Sequence, residues 1–257
     1  MMKIVFPMAG RGSRFVRQGF ALPKPLIEVL GKPIIQHVLE CYTMEARFIF
    51  VALREHIDMG LGSLLMSLRP DALVVPIDEV TQGPVCTVLK VYEEINTEDE
   101  LLIADCDSVL VWPDRWVFEW FRERGATGGV TTRITNNPSC SYAAINGDGW
   151  VVETREKDPF TIFSTTGPYW WSQGRDFVQV AERMIREDRR AANGEFYVSP
   201  TYNYHIAQGG RVLAYPLPEF WSLGTPEDVE RFVNQARSRA VAGASVSIPL
   251  DLLRLSP

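Results

Sequence analysis

The sequence predicts an α/β protein whose central sheet is mostly parallel and covered by helices on both faces. Three observations lead there. Short apolar runs alternate with helix-spaced segments through the first 125 residues, the pattern of strand–helix–strand units. The runs are continuously apolar rather than alternating, as strands buried on both faces are. The chain has 257 residues, 46% hydrophobic and 23% charged, which is enough for a sizeable core and unlike a disordered or fibrous composition.

The elements follow in order. Lys3–Ala9 (KIVFPMA) is an apolar run closed by a glycine-rich turn, so it reads as a strand. Pro33–Met44 carries Ile34, Ile35, Val38, Leu39 and Tyr42 at helical spacing, with Pro33 placed to open the helix. Phe48–Leu53 is a strand, and Ile57–Leu68 is a helix with Leu61, Leu64, Leu65 and Leu68 on one face. Ala72–Ile77 is a strand and Pro84–Ile95 a helix with Val88, Val91 and Ile95 aligned. Glu100–Ala104 is an apolar strand running into Asp105-Cys106-Asp107, and Pro113–Arg124 is an aromatic-rich helix.

The second half changes character. Gly128–Ile134, Tyr142–Asn146 and Trp150–Thr154 are short strands, the last two joined by the turn signal Asn146-Gly-Asp-Gly149. Helices are expected over Arg175–Arg186 and from Pro226 to about Val241. The expected organisation is one domain over 1–240, with halves 1–125 and 126–240, and a tail over 241–257. That tail carries Leu250, Leu252, Leu253 and Leu255 as an apolar plug for this subunit or for a neighbour in a homo-oligomer.

Charge is unevenly placed. The net charge is −6, which argues against general nucleic-acid binding. Yet residues 1–32 hold six basic side chains (Lys3, Arg11, Arg14, Arg17, Lys24, Lys32) against Glu28 alone, while the remainder holds 20 basic and 31 acidic ones. Cys41, Cys86, Cys106 and Cys140 show no metal or C-x-x-C spacing, and His37, His56 and His205 are scattered. Reduced thiols and the lack of any apolar run long enough for a signal-peptide core or a membrane span read as a cytoplasmic protein without membrane insertion.

In parallel sheets of this kind, ligands bind beyond the carboxyl ends of the strands, so the loops there are the candidate site. Met8-Ala-Gly-Arg-Gly-Ser-Arg14 follows the first strand. Gly10 and Gly12 permit a tight turn with N–H groups close to an anion, and Arg11 and Arg14 add positive charge. Lys24 sits between Pro23 and Pro25, which restrict its backbone. Together these suit a triphosphate, although each also fits an ordinary turn with a solvated basic face. The loop is neither a dinucleotide fingerprint, since Phe15 stands where a third glycine belongs, nor a P-loop, since G-K-[ST] is absent. Asp105 and Asp107 at a strand end suit a hard divalent cation with phosphate oxygens, or simply a strand-end turn. Gln82-Gly83 offers an amide with donor and acceptor to a base edge, or a plain helix-start loop. Glu156-Lys157 offers an acceptor for sugar hydroxyls and a cation for phosphate, or an exposed ion pair.

In this order, PMAGRGSRF, PKPLIEVLGKPII, TQGPVCTV, LLIADCDSVL, ETREKDP and FWSLGTPEDVERF resemble the sugar-phosphate nucleotidyltransferases (NDP-sugar pyrophosphorylases), over roughly residues 3–235. The form of the first and last motifs is similar to the short enzymes of capsule and surface-polysaccharide synthesis. The resemblance implies a GT-A-like, Rossmann-type sheet with a nucleotide-binding half over 1–125 and a small β-rich acceptor-binding half over 126–240. It implies transfer of NMP from an NTP, CTP or UTP being favoured, to a sugar phosphate or related phosphate, releasing pyrophosphate with Mg²⁺ as cofactor. By position it places Ala9 and Gly10 against base and ribose, and Gly12, Ser13, Arg14 and Arg11 around the triphosphate. Lys24 falls near the α-phosphate, Gln82 and Gly83 at the base, and Asp107 with Asp105 at the metal. Glu156, Lys157 and Gly167 fall at the sugar phosphate. Such chemistry uses positioning and positive charge rather than a nucleophilic side chain.

One departure stands out. Ser222 occupies the position where the family carries a second metal aspartate, and a hydroxyl holds a hard cation less well than a carboxylate. Two alternatives remain open on these residues: a GT-A glycosyltransferase using the D-x-D of Asp105-Cys-Asp107, and a catalytically weak nucleotide-binding relative.

Overall fold

The computed structural model describes residues 1–241. The expected tail plug lies outside the described residues. A nine-stranded sheet organises the chain. Its parallel part consists of β1 (Lys3–Met8), β4 (Arg47–Leu53), β5 (Leu73–Ile77) and β6 (Leu101–Ile103) in the order β5-β4-β1-β6. Two short ribbons lie outside it: β2 (Glu28–Val29) with β3 (Lys32–Pro33), and β7 (Ser108–Val111) with β13 (Glu219–Ser222). The rest of the main sheet is β8 (Gly128–Ile134), β9 (Ser141–Ile145), β10 (Val151–Glu156), β11 (Phe163–Trp171) and β12 (Val212–Pro216).

β11 joins the two parts. Tyr169–Trp171 pair antiparallel with β6 on one side and β8 on the other, while Phe163–Thr165 continue along β8 and Ser164 reaches β9. The register slips between Thr165 and Tyr169, where Gly167 has φ 107°, a conformation that strongly favours glycine.

Period-two alternation of large apolar side chains fills both faces of the sheet. Val5, Ile49, Val51, Leu101, Ile103 and Trp171 point to one layer, under the helical segments 84–95 and Gly174–Arg186. Ile4, Phe6, Phe48, Phe50, Leu102 and Trp170 point to the other, under Ile34–Leu39, Gly62–Leu68 and Asp114–Glu123. A smaller cluster of Phe15, Ile27, Val29, Ile34 and Leu223 meets Val229 and Phe232 of the last helix, Pro226–Val241. This explains Phe15 in the glycine loop: it is 1% exposed and anchors the loop to a core of its own.

Several expected helices are shorter or broken. The helix expected over Pro33–Met44 ends at Leu39, because Arg69 donates to the carbonyls of Leu39 and Tyr42, and the Asp114 carboxylate accepts from the N–H groups of Thr43 and Met44. The one expected over Ile57–Leu68 passes through a wide turn at Gly60, φ 107°. The one expected over Pro84–Ile95 is three short pieces, broken at Val91. The strands β7, β11, β12 and β13 and the helix Thr201–Ala207 carry no strong pattern of their own and are settled by their neighbours. No helix among the described residues is long and apolar enough to cross a membrane.

Candidate active site

The carboxyl ends of β1 and β6 and the slip in β11 meet at one place, and five of the expected site residues, Gly12, Lys24, Asp105, Asp107 and Gly167, gather there. Lys24 starts a one-turn helix (Lys24–Leu26) between buried Pro23 and Pro25, so its backbone is held and its side chain projects. Lys24 Nζ lies 2.6 Å from Asp107 Oδ2, joining residues 83 apart in sequence. Desolvation is the largest single influence and opposes the charge on Lys24, but the charge and hydrogen bond of Asp107, with the Cys106 and Asp105 side chains, together outweigh it and hold Lys24 protonated far above neutral pH. Gly12 adopts φ 63° and turns the chain into the short helix Ser13–Arg17. A Cβ there would stand 3.2 Å from Lys24 Cβ, so the glycine loop and the lysine turn are packed together.

Asp105 opens onto the same cleft with its surface accessible. Desolvation at the crowded cleft floor and the Asp107 charge both push its carboxyl above the usual carboxylate range, and Lys24 only partly offsets them. A Cβ at Gly167 would come within 2.3 Å of Asp105 Oδ2, so the bulge in β11 exists where that carboxylate needs room. Behind it lies Tyr169, whose hydroxyl bonds Thr165 at 3.0 Å.

Glu156 ends β10 and accepts a hydrogen bond from Ser141 Oγ, its cross-strand partner. Burial raises the Glu156 carboxyl, and this hydrogen bond lowers it, less strongly. Lys157 does not pair with it. Its φ of 54° turns the chain aside, and its Nζ reaches the Tyr197 hydroxyl at 2.5 Å while lying 4.3 Å from the ring centre. The simple ion-pair reading of Glu156-Lys157 therefore does not hold.

Ser222 also arrives at this cleft. Leu223 N–H donates to the Asp107 carbonyl at 2.7 Å. A Cβ on Gly224 would stand 3.1 Å from Asp107 Oδ2 and 3.2 Å from Ser222 Oγ. The Ser222 hydroxyl donates to Asp228 at 3.2 Å and accepts from Gly224 N–H at 3.2 Å. Two carboxylates, Asp107 and Asp228, thus flank the hydroxyl.

The other expected residues lie further apart. Ala9 is buried and Gly10 exposed, with nothing within 4 Å of where a Cβ would stand on Gly10. Arg11 pairs with Glu55 at 3.3 Å on the surface. Ser13 and Arg14 are exposed, and Arg14 makes no ion pair among the described residues. Gln82 and Gly83 are strapped to a segment with no motif of its own: Phe196 N–H donates to the Gln82 carbonyl at 2.8 Å and Val85 N–H to the Phe196 carbonyl at 3.1 Å. Gly83, φ 119°, leaves 2.6 Å between a would-be Cβ and the Phe196 backbone. Arg190 donates to Gln82 Oε1 at 2.8 Å. Ser141, Tyr169, Arg190, Tyr197 and Asp228 escaped the sequence reading. Only Ser141 carried a signal, through its pairing opposite Glu156.

A hollow of about 490 Å³ lies at the opposite end of the sheet, against Met1, Asp99, Glu100, Arg115, Phe118 and Arg122. Several of its acids and bases are paired, as with Arg122 on Glu100 at 2.6 Å. The candidate site is instead the carboxyl-end cleft, where like charges crowd together. Among the described residues no three His, Cys, Asp or Glu side chains are gathered to enclose a metal ion.

Known proteins show the same architecture. The nucleoside-diphosphate-sugar pyrophosphorylase from Vibrio cholerae RC9 superposes with a TM-score of 0.78 at 22% identity, over 90% of this chain and 100% of that one. The inositol-1-phosphate CTP transferase from T. maritima gives 0.70 at 15% identity, over 95% and 97%. In sequence, the bifunctional protein GlmU of Desulfitobacterium hafniense (strain Y51) is 24% identical over 223 residues, 82% of this chain and 46% of that protein. The chain spans about half the length of the curated relatives it matches. A model of the MobA-like NTP transferase domain matches residues 4–138, from β1 through the glycine loop, Lys24 and Asp107 to the end of β8, and the chain belongs to that family of nucleotidyltransferases.

Proposed function

We propose that this protein transfers a nucleoside monophosphate from an NTP to a sugar phosphate or similar phosphate acceptor, releasing pyrophosphate. The observation that carries the reading is the Lys24–Asp107 pair at 2.6 Å, at the carboxyl ends of β1 and β6 and packed against Gly12. A cation fixed by a carboxylate beside a glycine loop is suited to an α-phosphate under in-line attack. Arg14, exposed on the first turn after the loop, supplies charge for the leaving pyrophosphate. The open space around Gly10 lets a base and ribose lie against the backbone at Ala9–Gly10.

A divalent cation fits the residues present. Asp105 and Asp107 face one cleft, where desolvation and their mutual repulsion raise the Asp105 carboxyl. A hard cation would relieve that repulsion and take its remaining ligands from phosphate oxygens. When bound, Mg²⁺ would neutralise charge that develops on the phosphates. Lys24 would then hold the α-phosphate. Glu156 and Lys157, with Gly167 between β10 and the metal carboxylates, would line the acceptor pocket. We place residues 1–125 on the nucleotide side and 126–240 on the acceptor side. CTP or UTP as donor, surface polysaccharide as the product's use, and a cytoplasmic setting extend the same reading.

Pyrophosphate release, measured with four NTPs against a panel of sugar phosphates, tests it. Release with at least one pair, dependent on divalent cation, is expected. Silence with every pair, accompanied by hydrolysis of an NDP-sugar, would sink the proposal in favour of a glycosyl transferase or hydrolase.

A further inference from the structure

We propose that Arg190 is a positioning residue that fixes which side of the Gln82 amide meets the nucleobase, so that Gln82 reads the base as a hydrogen-bond donor. The inference deepens the proposed function and rests on Gln82 lining the base site.

The chemistry of the pair allows only one orientation. Arg190 Nη2 lies 2.8 Å from Gln82 Oε1. A guanidinium has five donors and no acceptor, so the amide oxygen must face it and the NH₂ group must face away. The guanidinium is itself held from three sides. Its Nε donates to Asp188 at 2.5 Å, its Nη1 donates to the Gly194 carbonyl at 2.9 Å, and its plane lies 4.3 Å from the centre of the Phe196 ring. The backbone beneath Gln82 is equally fixed by Phe196 N–H at 2.8 Å and by the absence of room at Gly83. Gln82 Nε2 makes no hydrogen bond among the described residues, and Gln82 is exposed. A base seated against this loop is therefore met by a donor, and must present a carbonyl oxygen or an unprotonated ring nitrogen. Without Arg190 the amide torsion is free to turn over, because its two settings are nearly equivalent. An amide that can turn also accepts from a base N–H, and discrimination falls.

The full chain is assayed for nucleotidyl transfer with each of the four NTPs. Nucleotide affinity without acceptor is measured in parallel by calorimetry, so the ordering of variants is read even where no acceptor turns over. The first variant, Gln82→Glu, keeps the contact to Arg190 but turns an acceptor toward the base. It is expected to weaken the preferred NTP about tenfold or more, and more than Gln82→Ala does. Arg190→Ala is expected to raise KM for the preferred NTP roughly threefold to tenfold, the weight of one oriented hydrogen bond. Its kcat should stay within about twofold, and the gap to the next NTP should shrink. Arg190→Lys, which is also only a donor, should restore much of that gap. Gln82→Glu binding as well as wild type would overturn the donor assignment. Arg190→Ala altering all four NTPs in proportion would reduce Arg190 to a loop support and overturn its positioning role. Gln82→Ala leaving all four affinities unchanged would show that the base lies elsewhere, overturning the inference through its premise while leaving nucleotidyl transfer itself standing.

Discussion

The two ends of the parallel strands handle charge in opposite ways. At the amino end Asp99, Glu94 and Glu100 have each found a base. Lys3 reaches Asp99 at 2.9 Å and the Glu94 carbonyl at 2.6 Å, Arg47 pairs with Glu94 at 3.1 Å, and Arg122 with Glu100 at 2.6 Å. Hydrogen bonds from the Met1 amine and Lys3 hold the Asp99 carboxyl down to about 2. At the carboxyl end Asp105 and Asp107 share one lysine, Lys24, and the Asp105 carboxyl is driven upward instead, by desolvation and then by Asp107. Strand ends neutralised by partners serve folding, whereas strand ends left with surplus charge are costly and poised to bind a counter-charge.

The comparison can be broken from its most sensitive side. Lys24→Ala and Asp107→Ala should each lower kcat by about 10²–10³-fold or more, as loss of a preorganised charge at the reacting phosphate does. Thermal melting should show a folded protein in both variants, and near wild-type turnover in either would remove the pair from the reaction. Gly167→Ala comes next. Its Cβ would need the space of Asp105 Oδ2 and a φ of 107°, costing about 1–3 kcal/mol. Turnover should fall together with the melting temperature, and a neutral result would show that the bulge does not fit Asp105 closely.

Smaller effects separate the two ends. Asp105→Asn removes repulsion with Asp107, so at pH 8 it should raise Tm by about 2–4 °C. That corresponds to roughly 1 kcal/mol after discounting for the open cleft. Activity should fall in the same variant, a trade typical of active sites. A drop in Tm would mean that the carboxyl end is not strained. Asp99→Asn should do the reverse and least: unchanged turnover and a Tm lower by no more than about 2–4 °C. Because the folded-state pKa of Asp99 is depressed, its contribution is full above about pH 4 and fades as pH falls toward 2. The difference between variant and wild type, followed by melting across that range, should therefore close on acidification.

The basic island of residues 1–32 shows how far one dimension reaches. Six cations in 32 residues are plain in the sequence, and the glycine loop and Pro-Lys-Pro mark Arg14 and Lys24. That Lys3 and Lys32 belong instead to folding, on Asp99 and on Glu40 at 2.8 Å, is visible only in three dimensions. So is the surface pairing of Arg11 with Glu55.

Local information alone determined the apolar strands β1, β4 and β6, the parallel architecture, the glycine turn, the constrained lysine and the acidic strand end, because each depends on side chains within a few residues of one another. Tertiary structure decided the rest. It joined Lys24 to Asp107 across 83 residues, set the slip in β11 that makes room for Asp105, brought Leu223 to the Asp107 carbonyl and turned the Gln82 amide by means of Arg190. Those are contacts between distant segments. Their geometry comes from packing two core layers onto one sheet, which no stretch of sequence encodes by itself.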